Sequence, residues 1–244
     1  MEGMMIINKG ELCFIKDEFF RKINDPFLKC NYETTKRPHY YIFQDQKTKL
    51  YWMVPCSSKV EKFEKIIREK RMRGKPVDGI EIVKIRQKKT VLLFQDMFPI
   101  RESYIEGVYI RQGQRVGISN PELIQRLDEK AEKAIKLLRH GVKFTKTQPD
   151  VNRIERFLIA EETRIKEEAI IKNIKVCGFE PTVSLVKNVL ELQELSGKKC
   201  SLKDIAVLSK YKDVTQESVR TVLGRIAEEC RNQEMSKNYE RDQI

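Results

Sequence analysis

Histidine and tryptophan are nearly missing from this sequence: 244 residues hold two histidines, His39 and His140, and one tryptophan, Trp52. The six cysteines, Cys13, Cys30, Cys56, Cys177, Cys200 and Cys230, never fall as C-x-x-C, and no histidine stands at zinc-ligand spacing from them. That pattern excludes the common structural zinc sites and leaves buried thiols in a reducing cytosol as the simplest account. No Asp, Glu and His gather at the spacing of a metal nuclease, so neither a metal nor another cofactor is expected. No apolar run approaches the ~18 residues of a membrane span. Met1–Ile7 also lacks the charged region, apolar core and cleavage site of a signal peptide, so a cytoplasmic protein with no membrane partner is expected.

What is abundant is charge, at 34% of residues, with a net charge of +12. Residues 161–244 hold 15 Lys/Arg and 15 Asp/Glu, leaving 33 against 21 in residues 1–160. The whole excess therefore sits in the first two-thirds of the chain, where a polyanionic partner is expected, and the remainder is electrostatically neutral. With 40% hydrophobic residues the chain can bury a real core, as one large domain or a medium domain with an appendage.

The rare residues concentrate in one stretch. Lys36-Arg37-Pro38-His39-Tyr40-Tyr41-Ile42-Phe43 and Leu50-Tyr51-Trp52-Met53-Val54 are rich in aromatic and β-branched residues and flank a polar turn, Gln44 to Lys49, which reads as a β-hairpin. Pro55 is expected to end the second strand, because it cannot donate to a ladder. Ser57 or Ser58 then stands as the N-cap of an amphipathic helix running to Met72, with Glu61 following and Val60, Phe63, Ile66 and Ile67 on one face. On its own a Ser-Ser-Lys after a strand is a helix cap with a solvated lysine. Here Lys36, Arg37, His39, Ser57, Ser58, Lys59 and Lys62 gather at one end of the hairpin, a cationic, hydroxyl-bearing helix start suited to holding a phosphate.

Around this stretch, Met4–Ile7 and Glu11–Ile15 read as strands, and Asp17 opens a short helix ending near Asn24-Asp25-Pro26. Phe27–Thr35 is a polar connector. Ile80–Ile85 and Thr90–Phe94 form a second hairpin around Arg86–Lys89, and Met97-Phe98-Pro99-Ile100 returns to extended chain. Turns and one strand, Gln114–Ile118, fill the glycine-bearing stretch that follows. Asn120-Pro121-Glu122 opens a helix that stops at Gly141, with Leu123, Ile124, Leu127, Ala131, Ala134, Ile135 and Leu138 facing the core. His140 in its last turn suits the helix dipole at least as well as catalysis.

Asp150 caps a helix of about 27 residues, roughly 40 Å if unbroken. Three shorter helical patterns follow, Thr182–Leu195, Leu202–Ser209 and Gln216–Cys230, with Ser201 and Thr215 as N-caps, and Glu234–Ile244 reads as disordered. A helix-turn-helix reading would make Gln216, Arg220, Thr221 and Arg225 the reading residues, but the neutral charge favours a small helical interaction or oligomerisation bundle. The division is therefore a basic domain, 1–160, and a helical extension, 161–244.

The His39-Tyr40-Tyr41 hairpin, the Tyr51-Trp52-Met53-Val54-Pro55-x-Ser57-Ser58-Lys59 segment, the amphipathic helix, the buried strand and Met97-Phe98-Pro99-Ile100 occur in an order and at a spacing that resembles the ToxN/AbiQ/CptN toxins of type III toxin-antitoxin systems, most closely the CptN branch. The resemblance spans about residues 7–158. It implies an α+β fold, a compact, strongly curved antiparallel sheet or barrel of the MazF type with flanking helices, here followed by the all-α extension. It also implies a metal-independent, sequence-specific endoribonuclease toxin that acts in phage defence. Its partners would be target RNA and a small folded RNA antitoxin, processed from a repeated precursor and held in a closed protein-RNA assembly. Carried over by residue, the hydroxyl pair falls on Ser57 and Ser58, and the basic residue before the first hairpin strand on Lys36 or Arg37. One departure is that Val60 stands where ToxN has a lysine, so the cation must come from Lys59 or Lys62.

Cutting RNA without metal means deprotonating the 2′-hydroxyl, stabilising a dianionic phosphorane and protonating the leaving 5′-oxygen, giving a 2′,3′-cyclic phosphate. Cations and hydroxyl donors do most of this, helped by a group titrating near neutrality. The catalytic candidates are Ser57, Ser58, Lys59, Arg37 and His39, where His39 either moves protons or packs beside Tyr40. Lys36, Tyr40, Lys62, Lys65 and Arg111 are the RNA-binding candidates. The alternatives are a non-catalytic regulator using the C-terminal helices on DNA, and a scaffold that coats RNA.

Overall fold

The computed structural model describes residues 7–211, 220–228 and 232, and the chain divides into two units, Met1–Ile159 and Ala160–Ile244. In chain order the elements are β1 (Leu12–Ile15), α1 (Asp17–Ile23), β2 (His39–Gln44), β3 (Tyr51–Ser57), α2 (Val60–Met72), β4 (Glu81–Ile85), β5 (Lys88–Leu92), β6 (Phe98–Ile100), β7 (Ile105–Val108), β8 (Ile110–Arg111), β9 (Gln114–Arg115), α3 (Pro121–Arg139), α4 (Val151–Val176), α5 (Val183–Ser196) and α6 (Leu202–Leu208). Seven strands form one antiparallel sheet, ordered β4-β5-β3-β2-β1-β7, with β6 also on β3.

The expected β2–β3 hairpin is present, with Tyr40 opposite Val54 and His39 opposite Pro55. The strand does not end at Pro55. It continues through Ser57, because Cys56 and Ser57 pair with Leu92 and Val91 of β5, while Tyr51, Trp52 and Met53 pair with β6. Pro55 sits where the partner changes from β6 to β5. Its carbonyl accepts from the Leu93 N–H at 3.1 Å, so the proline still joins the strand to the chain leaving β5.

This longer strand also removes the expected helix cap. α2 starts at Val60 with Lys59 in the cap position and no side-chain cap, and the Ser57 hydroxyl instead accepts from the Lys59 N–H at 3.3 Å across a tight turn. The Asn120 cap on α3 is found as expected, its side chain accepting from the Leu123 N–H at 2.9 Å, and Asp150 does the same for Arg153 at 3.0 Å. Between Ile80 and Phe94 the hairpin is tighter than expected: Ile85 pairs with Lys88, leaving only Arg86 and Gln87 in the turn. β7 and the two-stranded β8–β9 ribbon occupy the stretch where one strand was expected. The Met4–Ile6 part of the first expected strand, Thr215, Gln216 and Glu234–Ile244 lie outside the described residues.

Strand alternation sends the sheet's side chains to two faces. Tyr40, Ile42, Trp52, Val54 and Cys56 pack with Leu127, Ala131, Ile135 and Leu138 of α3. On the opposite face Cys13, Ile15, Tyr41, Met53 and Phe98 pack with Phe19, Phe20 and Ile23 of α1 and with Ile154 and Leu158 of α4. Val60, Phe63, Ile66 and Ile67 of α2 cover Val91 and Leu93 around β5.

The sheet is not closed as the expected barrel, because β4 and β7 end its path without pairing to each other. Arg86, at the β4–β5 turn, donates to the Gln114 Oε1 at 3.1 Å and to the Arg111 carbonyl at 3.5 Å, both on the β8–β9 ribbon.

In the second unit Ile170 and Ile174 of α4, Leu185, Val189 and Leu192 of α5, Ile205 and Leu208 of α6, and Leu223 and Ala227 form a separate apolar core. Ser201 and Asp204 make a reciprocal capping box at the start of α6. Arg220, one of the residues named for DNA reading, points to Glu191 at 3.8 Å. Among the described residues no helix is long and apolar enough to cross a membrane.

Candidate functional site

Beside the β4–β5 turn lies a cleft of about 650 Å³. Three separate parts of the chain meet there: the end of β3 with Ser57 and Ser58, the β4–β5 hairpin with Arg86, Gln87, Lys88 and Thr90, and the β8–β9 region with Tyr109, Arg111 and Gln112. Leu12, Cys56, Ile85 and Val116 make an apolar floor, and Tyr32 and Pro38 form part of the wall. Alternation within β4–β5 sorts the lysines: Lys88, opposite Ile85, faces the cleft, whereas the next residue, Lys89, points to the other face and pairs with Glu64 of α2 at 3.0 Å.

Arg86, Lys88 and Arg111 bring three cations to the lining, and among the described residues no Asp or Glu joins them. In a chain with 36 acidic residues, such a one-signed lining suits an anion better than a mixed polar surface would. Ser57, Ser58 and Thr90 add hydroxyls, and Gln87 and Gln112 add amides, at the two hairpin tips. Two tip residues, Arg86 and Gln112, hold φ near 52°, and Gly113 holds 72°. Glycine accepts that conformation readily and arginine does not; at Arg86 it comes with the two-residue turn set by the Ile85–Lys88 pair.

Arg37 reaches the same region from behind. Its Nε donates to the Cys30 carbonyl at 3.1 Å and its Nη1 to the Cys56 carbonyl at 2.9 Å, and its guanidinium lies 4.6 Å from the centre of the Tyr32 ring. Two of its five N–H donors are thereby committed to backbone, which fixes the guanidinium beside the end of β3.

The other sequence candidates are dispersed. Lys59 is exposed at the start of α2, and Lys62 and Lys65 stand on the exposed side of that helix. Lys36 pairs with Glu106. Tyr40 is buried under α3, and burial raises its hydroxyl pKa. His39, one residue before it on β2, faces the opposite core, with the Phe98 ring centre 5.6 Å away and that of Phe20 6.1 Å away. Burial, and secondarily the Arg37 charge, push the His39 pKa down to about 3, so the ring is neutral at pH 7. Its nitrogens lie near backbone groups of Arg37 and Lys29 but meet no partner at full hydrogen-bond geometry.

The cleft thus joins Ser57, Ser58 and Arg111, with Arg37 beside them, and adds Tyr32, Arg86, Gln87, Lys88, Thr90, Tyr109 and Gln112, which sequence reading missed. A signal existed for the hairpin tip. Lys84, Arg86, Lys88 and Lys89 put four cations within six residues. Among the described residues no three His, Cys, Asp or Glu side chains gather as metal ligands. Besides hydroxyls, the ionisable groups lining the cleft are the Lys88 ammonium and the Cys56 thiol, which burial pushes up to about 12, while the guanidiniums of Arg86 and Arg111 stay charged and act as fixed cations.

No family model and no curated protein matches the sequence. Among solved structures, the fold is similar to that of AbiQ, described as a lactococcal anti-phage endoribonuclease belonging to the type-III toxin-antitoxin system. The TM-score is 0.51 at 12% sequence identity, and the match covers 64% of this chain and 99% of AbiQ. At that identity the likeness is one of fold: nearly all of AbiQ corresponds to about two-thirds of this chain.

Proposed function

We propose that the first unit is an endoribonuclease toxin of the type III toxin-antitoxin kind, and that RNA is bound and cut in the open-sheet cleft. The observation that carries this reading is the acid-free lining, in which Arg86, Lys88 and Arg111 stand with Ser57, Ser58 and Thr90 around one concave site. The AbiQ-like fold supports it. In this reading the 2′-oxygen of the substrate attacks the neighbouring phosphorus, the 2′-O–P bond forms and the P–O5′ bond breaks. The 2′-proton leaves and the 5′-oxygen gains one, so the products are a 2′,3′-cyclic phosphate and a 5′-hydroxyl. Arg86, Lys88 and Arg111 neutralise the phosphorane, and the Ser57 and Ser58 hydroxyls orient it or the attacking oxygen. A buried neutral His39 would contribute packing to this chemistry, not proton transfer.

The inhibitor in this reading is a small folded RNA, whose repeats would be encoded just upstream of the coding region. The test is expression in bacteria with and without that upstream region, alongside single-turnover cleavage by Ser57→Ala and Ser58→Ala. Growth arrest only without the RNA, and a loss on the order of 10²-fold in cleavage for at least one serine variant, are expected. Normal growth at a verified protein level, or wild-type rates for the double serine variant, would count against it.

A further inference from the structure

Resting on the cleft reading above, we infer that one unpaired nucleobase of the RNA stacks on the ring of Tyr32, with its phosphate held by the cations of the two hairpin tips. Tyr32 sits in a connector that carries no regular structure, is 49% exposed and belongs to none of the four apolar clusters, so the core does not account for its position. It is nonetheless held firmly. Its N–H donates to the Thr35 carbonyl at 2.8 Å, and one ring face is covered by the Arg37 guanidinium, itself tied to two backbone carbonyls. The Arg37 N–H donates in turn to the Asn31 Oδ1 at 3.0 Å, closing the loop around the ring. A partly exposed aromatic ring with one face braced by a cation and the rest bordering a cationic cleft is a stacking platform whose ordering cost is met before any ligand arrives.

The rest of the cleft fits the same occupant. Tyr109, Pro38 and Val116 offer apolar surface to a flat ring, and Gln87 and Gln112 present amide donors and acceptors of the kind that meet base edges. A volume of about 650 Å³ lies within the range of roughly 300–1,000 Å³ found for sites that enclose a small organic ligand, so a nucleotide fits and a duplex does not. A paired base cannot present its face to a ring inside such a site, which restricts the occupant to a single-stranded segment or a loop.

The test uses a short unstructured RNA with 2′-O-methyl riboses, which cannot be cut, carrying 2-aminopurine or an abasic nucleotide at successive positions. Wild type, Tyr32→Phe, Tyr32→Ala and Arg86→Ala/Lys88→Ala are compared, with folding checked by Trp52 emission. Tyr32→Ala should weaken binding by roughly 5- to 150-fold and Tyr32→Phe by little. One 2-aminopurine position should be quenched by wild type and not by Tyr32→Ala, and an abasic nucleotide at that position should cost wild type alone. If Tyr32→Ala binds as wild type and every abasic position is tolerated, while Arg86→Ala/Lys88→Ala still weakens binding, stacking is refuted and the cleft reading survives. If neither variant set changes binding, both fall. A free nucleoside monophosphate that binds as tightly as the RNA would overturn the RNA assignment in favour of a small-nucleotide site.

Discussion

Replacing Asp96 by Asn should stabilise the first unit at neutral pH and do little at pH 4. Asp96 is 2% exposed, its Oδ1 meets no partner, and Lys29 Nζ stays 3.8 Å from its Oδ2. Burial outweighs the pull of Lys29 and Arg37 and raises the carboxyl from 3.8 to about 6. A rise of that size corresponds to about 3 kcal/mol against ionisation in the folded chain. The folded carboxyl holds its proton more tightly than the unfolded one, so the stability it supplies is complete below about pH 4 and is lost as pH rises through about 6. Asparagine has nearly the same shape and does not ionise. The unfolding free energy of Asp96→Asn should therefore gain on wild type by about 2–3 kcal/mol between pH 4 and pH 7. Trp52 is the single tryptophan and is fully buried in the first unit, so its emission in urea follows that unit. Parallel pH dependences for the two proteins, or a variant less stable at pH 7, would refute the reasoning and assign the Lys29 pair the dominant role.

His39 works in the opposite direction: its depressed pKa means stability is lost as pH falls from about 6.5 toward 3, so His39→Leu should gain on wild type on acidification, read by the same urea titration. Its unpartnered nitrogens predict that the leucine variant is at least as stable as wild type at pH 7, and a loss above about 1 kcal/mol would contradict this. Gly117→Ala should destabilise the first unit by about 1–3 kcal/mol, because the added Cβ would stand 2.6 Å from the Gly10 carbonyl oxygen and 2.9 Å from the Glu11 Cα, both backbone atoms; an unchanged urea midpoint would show that the Gly10–Glu11 backbone yields without cost. Arg86→Ala and Lys88→Ala should each lower RNA affinity and reduce the slope of log affinity against log salt by about one, whereas Lys89→Ala, which faces α2, should leave that slope near wild type.

The elements that the sequence announced are those whose signals are local. The β2–β3 hairpin follows from two aromatic and β-branched runs around a polar turn, and α3 follows from Asn120-Pro121-Glu122 at one end and Gly141 at the other. Where β3 ends was not local information, because its last two residues are held by Leu92 and Val91 more than thirty positions away. The same pairing moved the helix start past both serines. The turn at Arg86-Gln87 carries no glycine or asparagine to mark a positive φ, so four residues were allotted where two suffice. His39 and Tyr40 are adjacent and both aromatic, and alternation sends them to opposite faces that are both covered, which no one-sided pattern reveals. The cleft was least legible because it exists only where the fold brings distant parts of the chain together, from Leu12 and Tyr32 through Ser57 and Arg86 to Arg111 and Val116.

The most direct measurement of the central claim is the end-group analysis of unstructured RNA incubated with the purified protein in excess EDTA, beside an Arg86→Ala/Lys88→Ala variant of verified fold. The account predicts cleavage by wild type to 2′,3′-cyclic phosphate and 5′-hydroxyl ends, lost in the variant. Intact RNA in EDTA with cleavage restored by a divalent metal, or equal cleavage by the variant, would contradict it.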